Sequence, residues 1–215
     1  MLEFLVHPGS IEADPQTTIA GVAVPLYRLA MSADLQPILA NAHVKLRPLA
    51  AADWPALHAA AADPLIWAGH PAHNRWQAPI FRTYFDEALA SGGALVALDA
   101  STDTIIGASR YDFGRAGPGE IEIGWTFLAR SHWGGVTNAT MKALMVGHAL
   151  GFVDRVIFLI GETNFRSRRA MEKIGGVLTS RVDDALVNGL PVRHLIYLID
   201  RDGFAAGPLA AIEHG

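Results

Sequence analysis

Cysteine, charge and long apolar runs are all scarce in this chain, and each shortage excludes a class of protein. The 215 residues include no cysteine, so disulfide scaffolds, thiolate metal sites and cysteine nucleophiles are excluded, and a reducing, cytoplasmic location is expected. Charged residues make up only 18% and the net charge is −4, without a basic cluster, so nucleic acid is not expected as the main partner. No apolar run reaches the length of a membrane-spanning helix, and the N-terminus lacks the pattern of a secretory signal, so no membrane partner is expected.

The chain does contain enough apolar residues for one sizeable core. Hydrophobic residues account for 51% of the sequence, which argues against general disorder and suits one domain with an appendage. Residues 1–40 hold four prolines, few charges and no clear period. We interpret them as an N-terminal extension, either a misassigned start, with Met31 as the natural one, or an arm that covers an apolar surface. The main domain is expected over 41–203, followed by a C-terminal tail over 204–215.

Periodicity along the main domain predicts alternating groups of strands and helices. Alternation, or short apolar runs between turn residues, predicts strands at 43–47, 94–99, 104–111, 120–128, 155–160, 177–183 and 192–200. Helical spacing and capping residues predict helices that begin at Asp53, Gln77 and Asn164 and directly after the glycine pair at 134–135. This order indicates an α/β (α+β) fold, with an antiparallel meander followed by one strand–helix–strand crossover.

The strand predicted at 120–128 carries two glutamates among large apolar residues. Its alternation places Ile121, Ile123, Trp125 and Phe127 on one face. Glu120 and Glu122 share the other face, and there are two interpretations of them. Alternating glutamates usually form a solvated face, whereas a carboxylate at the site could take a proton from a reacting amine.

The stretch from Trp133 to Asn138 links this strand to the next predicted helix. A glycine pair before a helix leaves backbone N–H groups free at the positive end of the helix dipole, which suits an anion such as a phosphate. The simpler alternative is an ordinary glycine turn. In that case the side chains of Thr137 and Asn138 would cap the helix start, a role that could coexist with ligand binding.

Several motifs taken together resemble the GNAT superfamily of acyl-CoA N-acyltransferases, specifically its RimJ/RimL-type branch, over roughly His43 to Arg201. The motifs are Leu46-Arg-Pro-Leu49, Asp63-Pro64, Glu122-Ile-Gly-Trp125, Trp133-Gly-Gly135 with Asn138 and Lys142, and Asn164-Phe-Arg-Ser167 with Glu172-Lys-Ile-Gly175. The resemblance implies a mixed central sheet that is splayed where acetyl-CoA inserts and is flanked by helices. It also implies acetyl transfer to an amine. The chain departs from the family pattern at Val136, where a glycine is usual, and at Met171, where many relatives have a tyrosine.

The resemblance also assigns residues to the donor, acetyl-CoA. It implies that the diphosphate binds the backbone of the glycine loop, and that a backbone N–H near the end of the strand polarises the thioester. The residues assigned to the donor are Phe127, Leu128, Trp133, Gly134, Gly135, Val136, Thr137, Asn138, Asn164, Arg166 and Arg169. Arginines near a helix start oppose its dipole, so a bound phosphate would explain them, although screening by water is the simpler account.

For the chemistry, the resemblance implies that Glu122 removes the amine proton through water and that Ser167 contacts the leaving thiolate. It assigns the acceptor amine to Trp67, His70, Arg75 and Tyr84, and it implies no metal. The acceptor could be a protein N-terminus or a small amine, and a homodimer is common among similar proteins. The alternative from another class is a non-catalytic acyl-CoA-binding or regulatory module that keeps the fold.

Overall fold

An eight-stranded mixed sheet forms the centre of the protein in a computed structural model that describes residues 16–19, 22–25, 33–187 and 189–213. The strands are β3 (Leu39–Ala40), β4 (Val44–Pro48), β5 (Ala94–Asp99), β6 (Ile105–Asp112), β7 (Glu120–Leu128), β8 (Arg155–Gly161), β9 (Val177–Val187) and β10 (Leu190–Asp200). Their order across the sheet is β3-β4-β5-β6-β7-β8-β10-β9. A separate antiparallel ribbon pairs β1 (Gln16–Ile19) with β2 (Val22–Pro25).

Six helices complete the part of the chain that the structure describes. They are α1 (Trp54–Ala61), α2 (Ala78–Ala90), α3 (Thr137–Ala149), α4 (Phe165–Lys173), α5 (Arg201–Ala206) and α6 (Pro208–Glu213). The predicted strands and helices of the main domain are therefore confirmed, as are the α/β class, the antiparallel meander and the crossover through α3. Short 3₁₀ turns lie at Ala51–Asp53, Pro64–Ile66 and Arg130–His132.

The sheet opens between the neighbouring strands β7 and β8. All neighbouring strands are antiparallel except β7 and β8, which run parallel because α3 connects them. Their pairing extends only from Glu120 opposite Arg155 to Glu122 opposite Ile157. Beyond that point β7 continues to Leu128 and β8 to Gly161 without pairing to each other. The expected splay of the sheet is confirmed at this position.

Two apolar cores cover the two faces of the sheet. The larger core includes Met141 and Met145 of α3, Met171 of α4 and Leu209 of α6. The smaller core includes Leu57 of α1 and Phe81 and Phe85 of α2. The splay between β7 and β8 is therefore bounded on one face by α3 and α4 and on the other by the connection between α1 and α2.

The predicted alternation along β7 is wrong beyond Ile123. Ile121 and Ile123 lie in the larger core as expected, but Phe127, with Trp125 packed against it, belongs to the smaller core on the opposite face. The cause is a β-bulge: Arg110 pairs with Gly124 and Ala108 with Phe127, so β7 has one extra residue. Trp125 within the bulge has a φ of +51°. An extra residue reverses the side-chain alternation that follows it, and the period alone gave no sign of it.

The helix starts differ in how well the capping residues predicted them. Asn164 caps α4 as predicted, because its side chain accepts a hydrogen bond from the backbone N–H of Ser167. Asp53 does not cap α1. Its carboxylate instead pairs with both terminal nitrogens of Arg47, each at 2.7 Å, and accepts from the N–H of Ala50. A nearby guanidinium gives a carboxylate stronger hydrogen bonds than a helix N–H, so the predicted cap is wrong.

The predicted domain bounds remain a prediction. Most of the proposed extension at 1–40, including Met31, lies outside the described residues, although β3 joins the sheet and the carbonyl of Asp34 accepts a hydrogen bond from His148. In the proposed tail at 204–215, Leu209 is buried in the larger core. Among the described residues, no helix has the length and apolarity needed to cross a membrane.

Candidate active site

A cavity of about 400 Å³ occupies the splay between β7 and β8. Its walls come from the ends of both strands, the loop before α3, the start of α4 and the connection between α1 and α2. Of the residues predicted for the site, those that line it are Trp67, His70, Phe127, Leu128, Trp133, Gly134, Gly135, Asn138, Asn164, Arg166 and Ser167. Four distant stretches of sequence thus meet in one place, as the resemblance implies.

The glycine loop presents an open helix start to this cavity. Gly134 has a φ of +75°, a conformation that favours glycine. A Cβ atom added at either Gly134 or Gly135 would meet no atom within 4 Å. Among the described residues no side chain caps α3, so the caps expected from Thr137 and Asn138 are wrong. The first-turn amides are therefore not satisfied by a side chain, and the loop has room for an anion beside them.

Val136 does not obstruct this loop. It has a φ of −80°, so the left-handed conformation falls at Gly134 and the missing glycine causes no strain. The residue is 54% exposed, and it lines a second cavity together with Thr140 and Ile212. Val136 and Thr137 do not line the main cavity. Either could contribute to ligand binding there only through its backbone.

The arginines of α4 divide by position. The guanidinium of Arg166 stacks on Trp133 at 3.9 Å and donates to the carbonyl of Ile66 at 3.0 Å, at the cavity wall. Arg168 is occupied outside the cavity by Tyr197 and the carbonyl of Glu162. Arg169 is exposed and does not line the cavity. Only Arg166 of this group is placed to meet a ligand in the cavity.

Ser167 and Met171 lie on the face of α4 that borders the cavity. The backbone N–H of Ser167 donates to Asn164, and within the described residues no protein group bonds its hydroxyl. A serine hydroxyl that is not bonded back to the preceding turn is available to a ligand. Met171 is buried and supplies an apolar contact, without the proton that a tyrosine at this position could donate.

Glu122 lies just behind the cavity wall, at the last paired position of β7. It is only 1% exposed and is held by Arg115, whose Nη2 and Nε donate to its two carboxylate oxygens at 2.8 and 3.1 Å. Burial raises the pKa of Glu122 to about 7, against the opposing effect of Arg115. The solvated-face interpretation is wrong for both glutamates, because Glu120 is buried as well. Glu122 does not line the cavity, but Ile123 and Gly124 beside it do.

Lys142 is a buried amine in the cavity wall. It extends from α3 to the bulge of β7, where its Nζ donates to the hydroxyl of Thr126 at 2.8 Å and lies 3.4 Å from that of Ser109. Burial lowers the pKa of Lys142 to about 7, although the charge of Glu122 raises it. A charged side chain is unusual among the buried residues Met141, Ala143 and Met145. The sequence alone indicates Lys142 only as part of a family motif.

The residues predicted for the acceptor lie around one side of the cavity. Trp67 and His70 line it, while Arg75 and Tyr84 lie behind Trp67. The Nδ1 of His70 accepts from the N–H of Ala72, and burial lowers the pKa of His70 to about 3. His70 is therefore neutral, with its proton on Nε2. The hydroxyl of Tyr84 donates to the carbonyl of Trp125 at 2.8 Å and so supports the bulge.

Sequence reasoning missed His194, which lines the cavity, and Arg110, whose guanidinium lies 3.4 Å from the ring centroid of Trp125. Both belong to strands that pair with β7 or β8, and only the tertiary structure brings His194 to the cavity and Arg110 against Trp125 in its wall. No local signal could have found them, because a histidine or arginine in an alternating strand is unremarkable. Among the described residues, no group of three or more metal-binding side chains is present.

Comparisons with known proteins agree with this geometry. The family model for the acetyltransferase (GNAT) domain matches residues 43–177. No curated protein matches the chain. Among solved structures, a GNAT-family protein from Chromobacterium violaceum aligns with a TM-score of 0.73 at 18% identity, over 92% of this chain and 100% of that one.

Two further structures were solved with coenzyme A compounds. RimJ from Mycobacterium smegmatis, in complex with CoA-disulfide, aligns with a TM-score of 0.61 at 16% identity, over 78% of this chain and 86% of that one. Spermidine N-acetyltransferase from Vibrio cholerae, in complex with CoA and spermine, aligns with a TM-score of 0.59 at 15% identity, over 76% and 99%. The first is consistent with the RimJ/RimL-type branch. Both sequence identities are too low for these two structures to show more than the fold. The match of the family model over more than half of the sequence shows that the chain belongs to the GNAT acetyltransferase family.

Proposed function

We propose that the protein is an acetyl-CoA-dependent N-acetyltransferase that transfers the acetyl group to a primary amine by direct attack. The observation that carries the proposal is a single cavity that joins the uncapped start of α3 to the gap between β7 and β8. One end of the cavity suits an anionic donor. The other end lies between β7 and β8, where these strands are not paired with each other. The absence of cysteine excludes a covalent acetyl-cysteine intermediate.

The donor's diphosphate binds the amides of the first turn of α3. This assignment is supported by the open space beside Gly134 and Gly135 and by the lack of a side-chain cap. The positive end of the helix dipole and free N–H groups favour negative charge at this point. Arg166, stacked on Trp133 directly before the glycine pair, adds a cation, and Asn138 and Asn164 add polar contacts.

The acetyl group lies in the splay, where backbone N–H groups of β7 near Phe127 and Leu128 polarise its carbonyl. Donors fixed in a strand need no reorganisation as charge develops on the carbonyl oxygen. The hydroxyl of Ser167 contacts the sulfur that leaves. It acts by position, because an unperturbed serine is a poor acid. Support for this role is its place in the cavity wall with a hydroxyl that no described residue bonds.

Glu122 removes the proton of the incoming ammonium through water. An ammonium has no lone pair and cannot attack a thioester, so a base is required. A base is most useful when its pKa lies near the working pH, and burial raises the pKa of Glu122 to about 7. Its position behind Gly124, outside the cavity wall, supports transfer through water instead of direct contact.

The finer assignments also remain proposals. The CoA complexes of the RimJ and spermidine acetyltransferase structures support the choice of donor, whereas the choice between a protein N-terminus and a small amine depends on the acceptor side. A cytoplasmic location and a homodimer are likewise expectations. The alternative of a non-catalytic acyl-CoA-binding module is favoured by Met171, which cannot donate a proton, and by the pairing of Glu122 with Arg115.

Calorimetric titration with acetyl-CoA tests the donor site. We expect binding to the wild type and weaker binding to Gly134→Ala, by about tenfold, because alanine disfavours the left-handed conformation by roughly 1–2 kcal/mol and the loop relaxes. Gly189→Ala is the matched control, since Gly189 has a similar φ of +77° in the distant β9–β10 turn.

A wild type that takes up no acetyl-CoA, or equal affinities in Gly134→Ala and Gly189→Ala, would contradict the donor site. Release of free thiol in the presence of an amine panel then separates an enzyme from a binding module. The module would bind acetyl-CoA and release no thiol with any amine.

A further inference from the structure

Arg110 is a buried cation whose ion pair with Asp112 is too long for a hydrogen bond. The residue is 9% exposed, and its Nε has no hydrogen-bond partner. The nearest carboxylate oxygen, of Asp112, lies 3.8 Å from its Nη2, beyond hydrogen-bond distance. The guanidinium is held instead against Trp125 at 3.4 Å. A buried guanidinium whose N–H groups are not all satisfied is costly, which invites a reason for its presence.

Arg75 lies near Arg110 and is held in the same manner. Its guanidinium lies 4.8 Å from the ring centroid of Tyr84 and 5.4 Å from that of Trp67. Within the described residues it forms no ion pair, and its charge is close enough to that of Arg110 to be opposed by it. The hydroxyl of Tyr84 bonds the carbonyl of Trp125, so the aromatic supports of the two arginines are joined.

Other arginines that stack on aromatic rings have conventional partners. Arg82, on the same helix as Tyr84, stacks on Trp54 but also pairs with Asp86 at 2.8 Å. Arg115 stacks on Trp125 and pairs with Glu122. Stacking on a ring is therefore not what distinguishes Arg75 and Arg110. Their distinction is that aromatic faces hold them in place while, among the described residues, no carboxylate lies within hydrogen-bond distance of either guanidinium.

The cavity beside this pair is also free of acid. Its walls carry Lys142, Arg166 and three histidines, and the described residues that line it include no aspartate or glutamate. Near the arginine pair, Glu122 is engaged by Arg115. Asp112 lies 3.8 Å from Arg110, and the charge of Glu87 reaches both arginines without a hydrogen bond to either among the described residues. A polyamine acceptor would bring further positive charges into these surroundings with little to pair with them.

We propose that the acceptor is an amine whose molecule also carries an anionic oxygen group, a carboxylate or a phosphate, and that Arg110 and Arg75 bind this group beside Trp125. The inference rests on the proposed acetyl transfer and deepens it. Two preoriented guanidinium groups recognise planar or tetrahedral oxyanions through paired hydrogen bonds. The anionic end held there leaves the amine end free to reach the cavity past Trp125, which lines it.

Thiol release from acetyl-CoA by the full chain tests the inference with acceptors of matched chain length. The series consists of ω-amino carboxylates, aminoalkyl phosphates, n-alkylamines and α,ω-diamines, with glycine as the shortest member. We expect the best anionic acceptor to exceed its matched alkylamine and diamine in kcat/KM by about tenfold or more, since each paired ionic hydrogen bond adds affinity. Whichever anion gives the higher value identifies the source, carboxylate or phosphate.

Variants locate the preference on the arginine pair. The measured quantity is the ratio of kcat/KM for the anionic acceptor to that for the alkylamine, because partial misfolding lowers both values and cancels. Arg75→Gln and Arg110→Gln are expected to lower this ratio several-fold, and Arg110→Lys to restore part of it. Arg82→Gln removes an arginine that also stacks on aromatic rings, but on the exposed surface, and should leave the ratio unchanged.

Preference of the wild type for the alkylamine or diamine would overturn the inference, as would an unchanged ratio in Arg75→Gln and Arg110→Gln. It is also overturned if other amines are acetylated but no anionic amine is. Failure of the proposed function is distinguishable, because in that case acetyl-CoA does not bind or no amine of any charge releases thiol.

Discussion

Glu120 and Glu122 lie two residues apart on the same strand, both buried, yet their environments give them opposite properties. Glu120 is bound by Arg181 at 2.7 and 2.9 Å, with Arg155 at 3.3 Å, and these cations together with the N–H of Gly117 hold its pKa below the usual range despite the burial that raises it. Among the described residues, Glu122 accepts side-chain hydrogen bonds from Arg115 only, and the charge of Arg110 adds a smaller effect, so burial prevails and the pKa of Glu122 rises to about 7.

The difference follows from where each carboxylate lies relative to the splay. Glu120 belongs to the closed end of β7, where Arg155 of the paired strand β8 reaches it. Glu122 occupies the last paired position, with Gly124 and the bulge directly after it. One carboxylate is thus an ionised anchor that fixes the sheet, and the other is a group able to gain and lose a proton near neutral pH. Substitutions at the two positions should therefore have different consequences.

The largest expected effect is on catalysis at Glu122. Glu122→Gln keeps an acceptor for Arg115 but cannot take a proton, so kcat should fall by about 10²–10⁴-fold, the usual range for general-base assistance. Because the pKa of Glu122 is raised to about 7, the wild-type rate should rise with pH through neutrality, and this limb should disappear in the variant. Initial rates of thiol release between pH 5.5 and 9, at about half-unit steps, measure both.

Glu120→Gln is the matched control for catalysis, with the same chemical change two residues away on the same strand. Its kcat should stay within about threefold of the wild type if only the carboxylate at the splay takes part in the reaction. An equal loss in both variants would mean that sheet integrity, and not proton transfer, accounts for the effect at Glu122.

Stability should show the next largest effect, with the roles exchanged. Glu120→Gln should lower the free energy of unfolding at pH 7 by about 1–3 kcal/mol, because the partners of a buried carboxylate lose charge-assisted hydrogen bonds. The sign of the pH dependence should also differ. Relative to Glu120→Gln, the wild type loses stability as pH falls through the lowered folded pKa of Glu120. Relative to Glu122→Gln, it gains stability as pH falls from about 7 toward 4.5, since the folded state holds the extra proton.

Urea unfolding of the three proteins at about pH 3, 4.5, 6 and 7.5 provides these comparisons, at about 1 kcal/mol resolution or better. The lowest pH is needed because the pKa of Glu120 lies below its usual value. Slopes of the same sign at both positions would remove the distinction between an anchor and a titrating carboxylate.

The smallest effect is expected at Lys142, which faces the open end of the strand from α3. Its folded pKa is lowered to about 7, so above that pH the unfolded chain binds more protons than the folded one. The stability of the wild type relative to Lys142→Met should therefore increase between pH 7 and 9. The expected increase is about 1 kcal/mol per pH unit, with an upper limit of about 1.4 kcal/mol per pH unit. Chemical denaturation at pH 7, 8 and 9, at ~0.3 kcal/mol precision, would detect it. A constant difference would show that Lys142 stays charged in the folded protein.

Much of the fold was predictable because its signals are local. The strands and helices of the main domain follow from alternation, helical spacing and capping residues, and Asn164 caps its helix as its position suggested. Trp133, Gly134 and Asn164 were placed at the site through motif order, and they do line the cavity. Asp53 shows the limit, because a residue that can cap a helix also binds a guanidinium, and Arg47 lies close only in the folded chain.

The sequence by itself determined the order of elements, the absence of cysteine chemistry and the family. Each of these follows from composition, local periodicity or short motifs. Only the tertiary structure decided the bulge that moves Phe127 to the opposite face, the pairing that leaves Glu122 beside the gap, and the placement of Arg110 and Arg75 on aromatic rings with no described carboxylate within hydrogen-bond distance. The physical reason is the separation along the chain of the residues that determine each property. Periodicity reports the preferences of one segment, whereas burial and charge at a site depend on side chains that meet from segments far apart in the chain.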